Sequence, residues 1–260
     1  MRKPCVVLSV LDLYKPMFFT PAAFERIRDL ADLRIDPDPA GHALAESREM
    51  LREAEVVVTA WETGDLTELL PQMPQLRMVI HSGGSVKGVI GVQAYEAGVR
   101  ISSQTQLNAE PVAEYSLAMI ILAAKGIFAS RRRYVENRAK EETFWENFPG
   151  VGLYGAKIGL IGLSRISRRV IEMLAPFHVD IKVFSHHLDE ARARELGVTT
   201  ASIDEIMRTC DVVSLHSAST PQTYHMLGAE DFAKMKDGAT FINTARGAIC
   251  DQDALIAELQ

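Results

Sequence analysis

Short runs rich in Val, Ile and Leu alternate along the whole chain with segments whose apolar positions recur every three or four residues. The first pattern predicts strands and the second amphipathic helices, and their regular alternation predicts an α/β protein with parallel sheets. In the first part the strand-like runs are Cys5–Leu11, Leu33–Asp36, Val56–Ala60, Leu76–His81 and Arg100–Ser103. Helical spacing fills Pro21–Leu30 and Ala43–Glu53 between them. Together these predict a small doubly wound sheet of the flavodoxin-like kind over residues 1–104.

A long helical pattern follows from Asn108 to about Arg138, apolar in its first half and charged in its second. Pro111 is read as falling in the first turn, where its missing N–H costs nothing. Such a helix suits a hinge between two domains, the second covering residues 105–260. The later strands read as Lys157–Leu163, Ile181–Ser185, a weak Val198–Thr200, Val212–Ser217 and Thr240–Ala245, each separated by a helical segment. A full Rossmann sheet has six strands, and five are counted before the helical Asp251–Gln260, so the second sheet is expected to be incomplete. The charged stretch Arg138–Phe148, which carries Trp145, is the segment that reads as least ordered.

Composition narrows the function. With 47% hydrophobic and 24% charged residues the chain has the balance of a globular protein with buried cores. The net charge of −6 gives no positive field for nucleic acid or an anionic membrane. Arg131, Arg132 and Arg133 read as a solvated helix face. Cys5, Cys210 and Cys250 make no metal-ligand or C-x-x-C spacing, which suggests reduced thiols and no metal. Asp12 and Lys15 interrupt the apolar start, and the run Leu117–Ala124 is far too short to cross a bilayer. A cytoplasmic location is expected.

Candidate chemistry begins at Lys157-Ile-Gly-Leu-Ile-Gly-Leu-Ser-Arg-Ile-Ser-Arg-Arg-Val170, which follows a strand and opens a helix as a dinucleotide fingerprint does. Gly162 takes the place of the first glycine of G-x-G-x-x-G, whereas Ser164 and Ser167 hold the second and third. A Cβ at Ser164 is expected to push a pyrophosphate outward, although its hydroxyl can donate to a phosphate oxygen beside Arg165 and Ile166 at the helix start. An ordinary strand-turn-helix without nucleotide stays open. The acidic residue that would read the ribose is replaced by Ser185, 23 positions after Gly162, followed by His186. NAD selectivity is therefore unsupported and NADP is permitted, alongside the plain alternative of surface histidines at a strand end.

Three more segments carry a resemblance. Val213-Ser-Leu-His-Ser-Ala-Ser-Thr-Pro-Gln-Thr-Tyr-His-Met-Leu227 resembles a strand end L-H-x-P-x-T, with Ala218 where proline is usual. Phe241-Ile-Asn-Thr-Ala-Arg-Gly-Ala-Ile-Cys-Asp251 is similar to N-x-x-R-G-x-x-V-D, and Leu107-Asn-Ala-Glu-Pro-Val-Ala-Glu114 to N-A-x-x-V-A-E. In this order and spacing they resemble the D-2-hydroxyacid dehydrogenases.

The resemblance implies an oxidoreductase that moves hydride between NAD(P)H and a small 2-oxo or 2-hydroxy acid. Arg246 would be the catalytic arginine, and Gly162, Ser164, Arg165, Ile166, Ser185, His186, His216, Thr244 and Ala245 would line the cofactor. The loop Ser82, Gly83, Gly84 and Ser85 would hold the substrate carboxylate, with Ser85 and Lys87 replacing a usual glycine and aspartate. A homodimer built on the long helix and the arm to about Trp145 is implied as well. The family's proton-donating histidine and its glutamate partner lie beyond the arginine segment, so the chain reads as C-terminally shortened. His81 is a weak substitute, better read as a satisfied or solvated histidine. The alternative is a non-catalytic dinucleotide-binding or scaffold protein.

Overall fold

The computed structural model describes residues 2–137 and 152–259. By contacts the chain divides into two compact units, Met1–Asn108 and Ala109–Gln260. The elements of the first are β1 (Cys5–Ser9), α1 (Lys15–Phe18), α2 (Pro21–Leu30), β2 (Asp32–Ile35), α3 (Ala45–Glu53), β3 (Val56–Thr59), β4 (Met78–His81), α4 (Gln93–Glu96) and β5 (Arg100–Ser103). Its five strands are all parallel in the order β2-β1-β3-β4-β5, the flavodoxin-like order anticipated above. Every residue of β1 is buried, as a central strand covered on both faces requires. Val7, Leu51, Val57, Leu66 and Val79 fill one face of the sheet, and Leu8, Val10 and Val58 pack on the other.

Helices α5 (Thr105–Ala124) and α6 (Ile127–Asn137) come next, followed by β6 (Lys157–Ile161), α7 (Arg165–Leu174), β7 (Asp180–Phe184), α8 (Glu190–Leu196), β8 (Thr199–Thr200), α9 (Ile203–Thr209), β9 (Val212–Leu215), α10 (Ala229–Phe232), β10 (Thr240–Asn243) and α11 (Gln252–Glu258). The second sheet runs β10-β9-β6-β7-β8, parallel throughout, which is the Rossmann order 3-2-1-4-5 read from the other edge. The fingerprint strand β6 therefore lies at its centre. Ile158, Leu160, Val170, Leu174 and Val183 form the core on one face. On the other face a Cβ at Gly159 would stand 2.4 Å from Ile206 Cγ2, so glycine is what lets α9 lie close to β6.

The long helix differs from expectation in two ways. It starts at Thr105 rather than Asn108, because Thr105 Oγ1 donates to the Gly84 carbonyl at 2.8 Å and the Asn108 amide already donates to Gln104. Pro111 is therefore the seventh helical residue and not in the first turn, and it cannot supply the N–H that would normally bond the Leu107 carbonyl. The helix also stops at Ala124, where Gly126 at φ +62° turns the backbone left-handed before α6 begins, and the two helices meet at 55°. Among the described residues no single helix is long and apolar enough to cross a membrane, although α5 and α6 pass that test as a bent pair. The expectations for Arg138–Phe148 and for the arm to Trp145 lie outside the described residues. All three cysteines are buried and free.

A buried polar knot holds the first unit together. Ser9 Oγ donates to Asp36 Oδ2 at 2.7 Å, His42 Nδ1 lies 3.2 Å from the same oxygen, and the Asp38 amide donates to Asp36 Oδ1 at 2.9 Å. Ser47 faces the carboxylate without a hydrogen bond of acceptable geometry. Burial pushes the Asp36 pKa up, but the hydrogen bonds from His42, Ser9 and Asp38 outweigh it and hold the group at about 2. The folded value lies below the ordinary carboxylate value, so the stabilisation is complete above about pH 4 and is lost as pH falls towards 2. Urea unfolding followed by tryptophan fluorescence should show Asp36 contributing about 2 kcal/mol of acid-sensitive stability. Asp36→Asn should flatten the slope between pH 4 and pH 2; an unchanged slope would show that the knot carries no such linkage.

Candidate functional site

The C-terminal ends of β6, β7, β9 and β10 lie along one edge of the second sheet because all four strands run the same way. Immediately after β6 the chain turns at Gly162 with φ +101°. A Cβ there would sit 2.6 Å from both the backbone nitrogen and Oγ of Ser217, so the end of β9 occupies the space that any side chain would need. The turn is tied on both sides. The Gly162 amide donates to Phe184 O, the His216 amide to Ile161 O, and Ser217 Oγ to Ile161 O at 3.1 Å.

Ser164 is the N-cap of α7. Its Oγ accepts the Ser167 amide at 3.3 Å, while Ser167 Oγ accepts the Ser164 amide at 2.7 Å, making a reciprocal capping box. The two serines that look like a damaged glycine fingerprint in the sequence are thus a helix start. Ser164 has an ordinary extended φ of −88°, so its Cβ strains nothing, and Ser167 is fully buried against the sheet. The cap leaves the amides of Arg165 and Ile166 as helix-start donors without intrahelical acceptors, and the Ser164 hydroxyl lies beside them, 3.4 Å from Ser167 Oγ. Arg165 is exposed and Ile166 packs on the core. A pyrophosphate fits this cradle: a glycine turn, two unspent amides, a hydroxyl and a positive helix end.

Ser185 follows β7, half-buried, with Oγ accepting the His187 amide at 3.2 Å. His186 is exposed, its ring edge-on to Phe184 at 5.1 Å. The next carboxylate along the chain, Asp189, is spent capping α8 through the Arg192 amide. His216 is nearly inaccessible at 4% exposure. Its Nε2 lies 2.9 Å from Ser214 Oγ and its Nδ1 3.4 Å from Thr244 Oγ1, and burial drives its pKa down to about 4. It is therefore neutral at pH 7 and serves as a spacer under the strand ends rather than as an acid.

After β10, Asn243 shapes the turn that presents Arg246: its Oδ1 accepts the Ala245 amide at 3.0 Å and its Nδ2 donates to Arg246 O at 3.4 Å. Among the described residues the exposed Arg246 guanidinium makes one hydrogen bond, from Nη1 to Ala245 O at 2.8 Å, and no ion pair. Its planar fork keeps donors available for a carboxylate or a polarised carbonyl.

The loop Ser82–Ser85 leaves the C-terminal end of β4 in the first unit. Ser82 N donates to Thr59 O, Gly83 O accepts from Gln104 N, and Gly84 O accepts from Thr105 Oγ1. Ser85 Oγ accepts the Lys87 amide at 3.3 Å. His81, just before the loop, is 2% exposed with Nδ1 3.0 Å from Thr59 Oγ1, and burial lowers its pKa. It is a satisfied core histidine. Ser217 and Asn243, which shape the two turns of the second unit, had no place among the expected cofactor-lining residues. Asn243 stood in the arginine motif, but nothing in the sequence gave Ser217 its role.

The chain has relatives. Residues 117–260 match the family described as D-isomer specific 2-hydroxyacid dehydrogenase, NAD binding domain. The D-3-phosphoglycerate dehydrogenase of Mycobacterium tuberculosis (strain H37Rv) is 29% identical over 203 residues, 78% of this chain and 38% of that protein. The glyoxylate reductase of Korarchaeum cryptofilum is 26% identical over 82% of this chain and 64% of that protein. The chain thus spans about two-fifths of the length of the first of these relatives. Among solved structures, D-lactate dehydrogenase from Aquifex aeolicus, complexed with NAD and lactic acid, superposes with a TM-score of 0.76 at 26% identity, over 98% of this chain and 73% of that one.

Replacing Gly162 by alanine is expected to lower unfolding stability by about 2 kcal/mol, through left-handed strain and collision with the Ser217 backbone. Ser164→Ala should cost about 1 kcal/mol and Ser164→Gly only a few tenths, because glycine also caps helices well. Chemical denaturation of the three variants checks the ranking, and a Ser164→Gly loss as large as that of Ser164→Ala would refute the cap.

Proposed function

The chain belongs to the D-isomer specific 2-hydroxyacid dehydrogenase family, and from that premise we propose that it binds a nicotinamide dinucleotide on the Gly162 turn and a 2-oxo or 2-hydroxy acid through its carboxylate. The observation that carries this reading is the cradle itself: a left-handed glycine closed by Ser217, followed by a capped helix start whose first amides remain unspent. When bound, the dinucleotide supplies the hydride. Arg165, Ile166 and Ser164 would hold its phosphates; Ser185 and His186 would lie towards the ribose, and His216, Thr244 and Ala245 would border its inner part.

The chemistry needs a carboxylate holder and a group that draws electron density from the carbonyl. The amides of Ser82–Ser85 suit the first task and the Arg246 fork the second. His216 is unsuited to donating the proton, being neutral and buried. That role belongs, by family resemblance, to a histidine placed after the arginine segment, so residues 1–260 alone should reduce 2-oxo acids about 10²–10⁴-fold more slowly than a form that carries it. A homodimer through α5 and α6 accords with the exposed Tyr115, Leu122, Ile127 and Phe128. A non-catalytic dinucleotide-binding or scaffold protein is the second reading, since the Gly162 turn and Arg246 can bind ligands while the buried, neutral His216 cannot donate the proton.

Calorimetric titration tests the cofactor site. NADH and NADPH are expected to bind within about tenfold of each other, since Ser185 offers no carboxylate to repel a 2′-phosphate. A preference for NADH well beyond tenfold would show that another group reads the ribose. Arg246→Lys should leave dinucleotide affinity unchanged and weaken binding of oxamate, a carboxylate-bearing substrate mimic, by about tenfold or more. Unchanged oxamate binding would remove Arg246 from the site.

A further inference from the structure

Beside the loop Ser82–Ser85 stands an aromatic cluster. A Cβ on Gly83 would lie 2.8 Å from Trp61 Nε1 and 2.6 Å from His81 Nε2, so the indole edge fills the flank of the loop that glycine leaves bare. Trp61 meets Phe18 edge-on at 4.9 Å and Tyr14 at 5.7 Å, and it remains 41% exposed.

The turn that carries the indole is held firmly. It leaves β3 through Glu62 at φ +60°, a costly conformation for a non-glycine residue. Thr63 Oγ1 accepts the Ala60 amide at 3.0 Å and donates to Ser9 O at 2.8 Å, and Gly64 N donates to Pro39 O at 2.9 Å. Strained backbone kept in place by buried hydrogen bonds is a sign of a side chain being aimed.

The cluster's electrostatics are acidic. Partial burial and the nearby Glu62 carboxylate raise the Tyr14 phenol's pKa. Lys15, the cation of the helix that carries Phe18, is paired with Asp12. A phosphate on this flank would be repelled by the Glu62 carboxylate and would gain little from the apolar ring surface, whereas an aromatic or branched apolar group would be welcomed by edge and face contacts.

We infer that Trp61, with Tyr14 and Phe18, selects 2-oxo acids bearing an aromatic or bulky apolar side chain and disfavours those bearing a phosphate. The inference rests on reading Ser82–Ser85 as the carboxylate loop, and it sets this chain apart from relatives named for phosphoglycerate. Trp61 acts here by contact with the substrate side chain, away from the reacting carbon.

Calorimetry with the 260-residue chain in NAD⁺, which cannot reduce the ligand, compares phenylpyruvate, pyruvate and phosphohydroxypyruvate. Phenylpyruvate should bind about tenfold more tightly than either of the others. Trp61→Ala should erase that ratio, and Trp61→Phe should keep most of it. Should the alanine variant not fold, the same contrast is read between Trp61→Phe and Trp61→Leu, which keeps bulk without the ring. Phosphohydroxypyruvate binding as tightly as phenylpyruvate, or a ratio indifferent to residue 61, overturns the inference while leaving the carboxylate loop intact. Failure of all three ligands to bind overturns the loop and the inference together.

Discussion

At Gly162 there is room for a hydrogen atom and for little else. The end of β9 comes so close to the end of β6 that Ser217 occupies the volume of the missing side chain, and the backbone escapes only by adopting φ +101°. This contact stands at the point where the strand order reverses, between the central strand and the first strand on its other side. The crevice at such a point opens at the C-terminal edge of a parallel sheet. Without that close approach α7 would start elsewhere, and its amides would not face the crevice.

The rest of the second unit makes the turn dependable. The capping box replaces backbone flexibility with two reciprocal hydrogen bonds, so the helix start is fixed by serine where glycine would leave it freer. His216 fills the floor between β9 and β10, kept neutral by burial and held by hydroxyls on both ring nitrogens. Asn243 then closes the turn that presents Arg246 to solvent. A rigid floor and an accessible cation are what an anion-binding edge needs.

In the first unit one serine links two loops. Ser9 Oγ donates to Asp36 while its carbonyl accepts from Thr63, so the polar knot under residues 36–42 and the turn that aims Trp61 share an anchor. The glycine loop after β4 is bound to β3 on one side and to the start of α5 on the other. Hydrogen bonds that begin at the buried end of β1 thus determine where the aromatic ring stands beside the loop.

The chain's own pattern was enough for both sheets, because strands buried on two faces must be continuously apolar and amphipathic helices must repeat at 3.6 residues. It placed Gly162, Ser185, His216 and Arg246 at strand ends for the same reason. The stop at Gly126 was missed: a lysine followed by glycine is an ordinary helix end, but helical spacing resumes directly after it and the pattern reads as one helix to about Arg138. Three things needed the tertiary structure. That Ser164 and Ser167 cap each other depends on the helix starting at Arg165, which spacing alone leaves open. That Ser217 makes glycine obligatory at 162 depends on two strands far apart in sequence, with Ile158 paired to Val212, becoming neighbours. That Trp61 stands against Gly83 depends on β3 pairing with β4 in one register. Periodicity reports which side chains are buried; only the pairing of strands decides which of them meet.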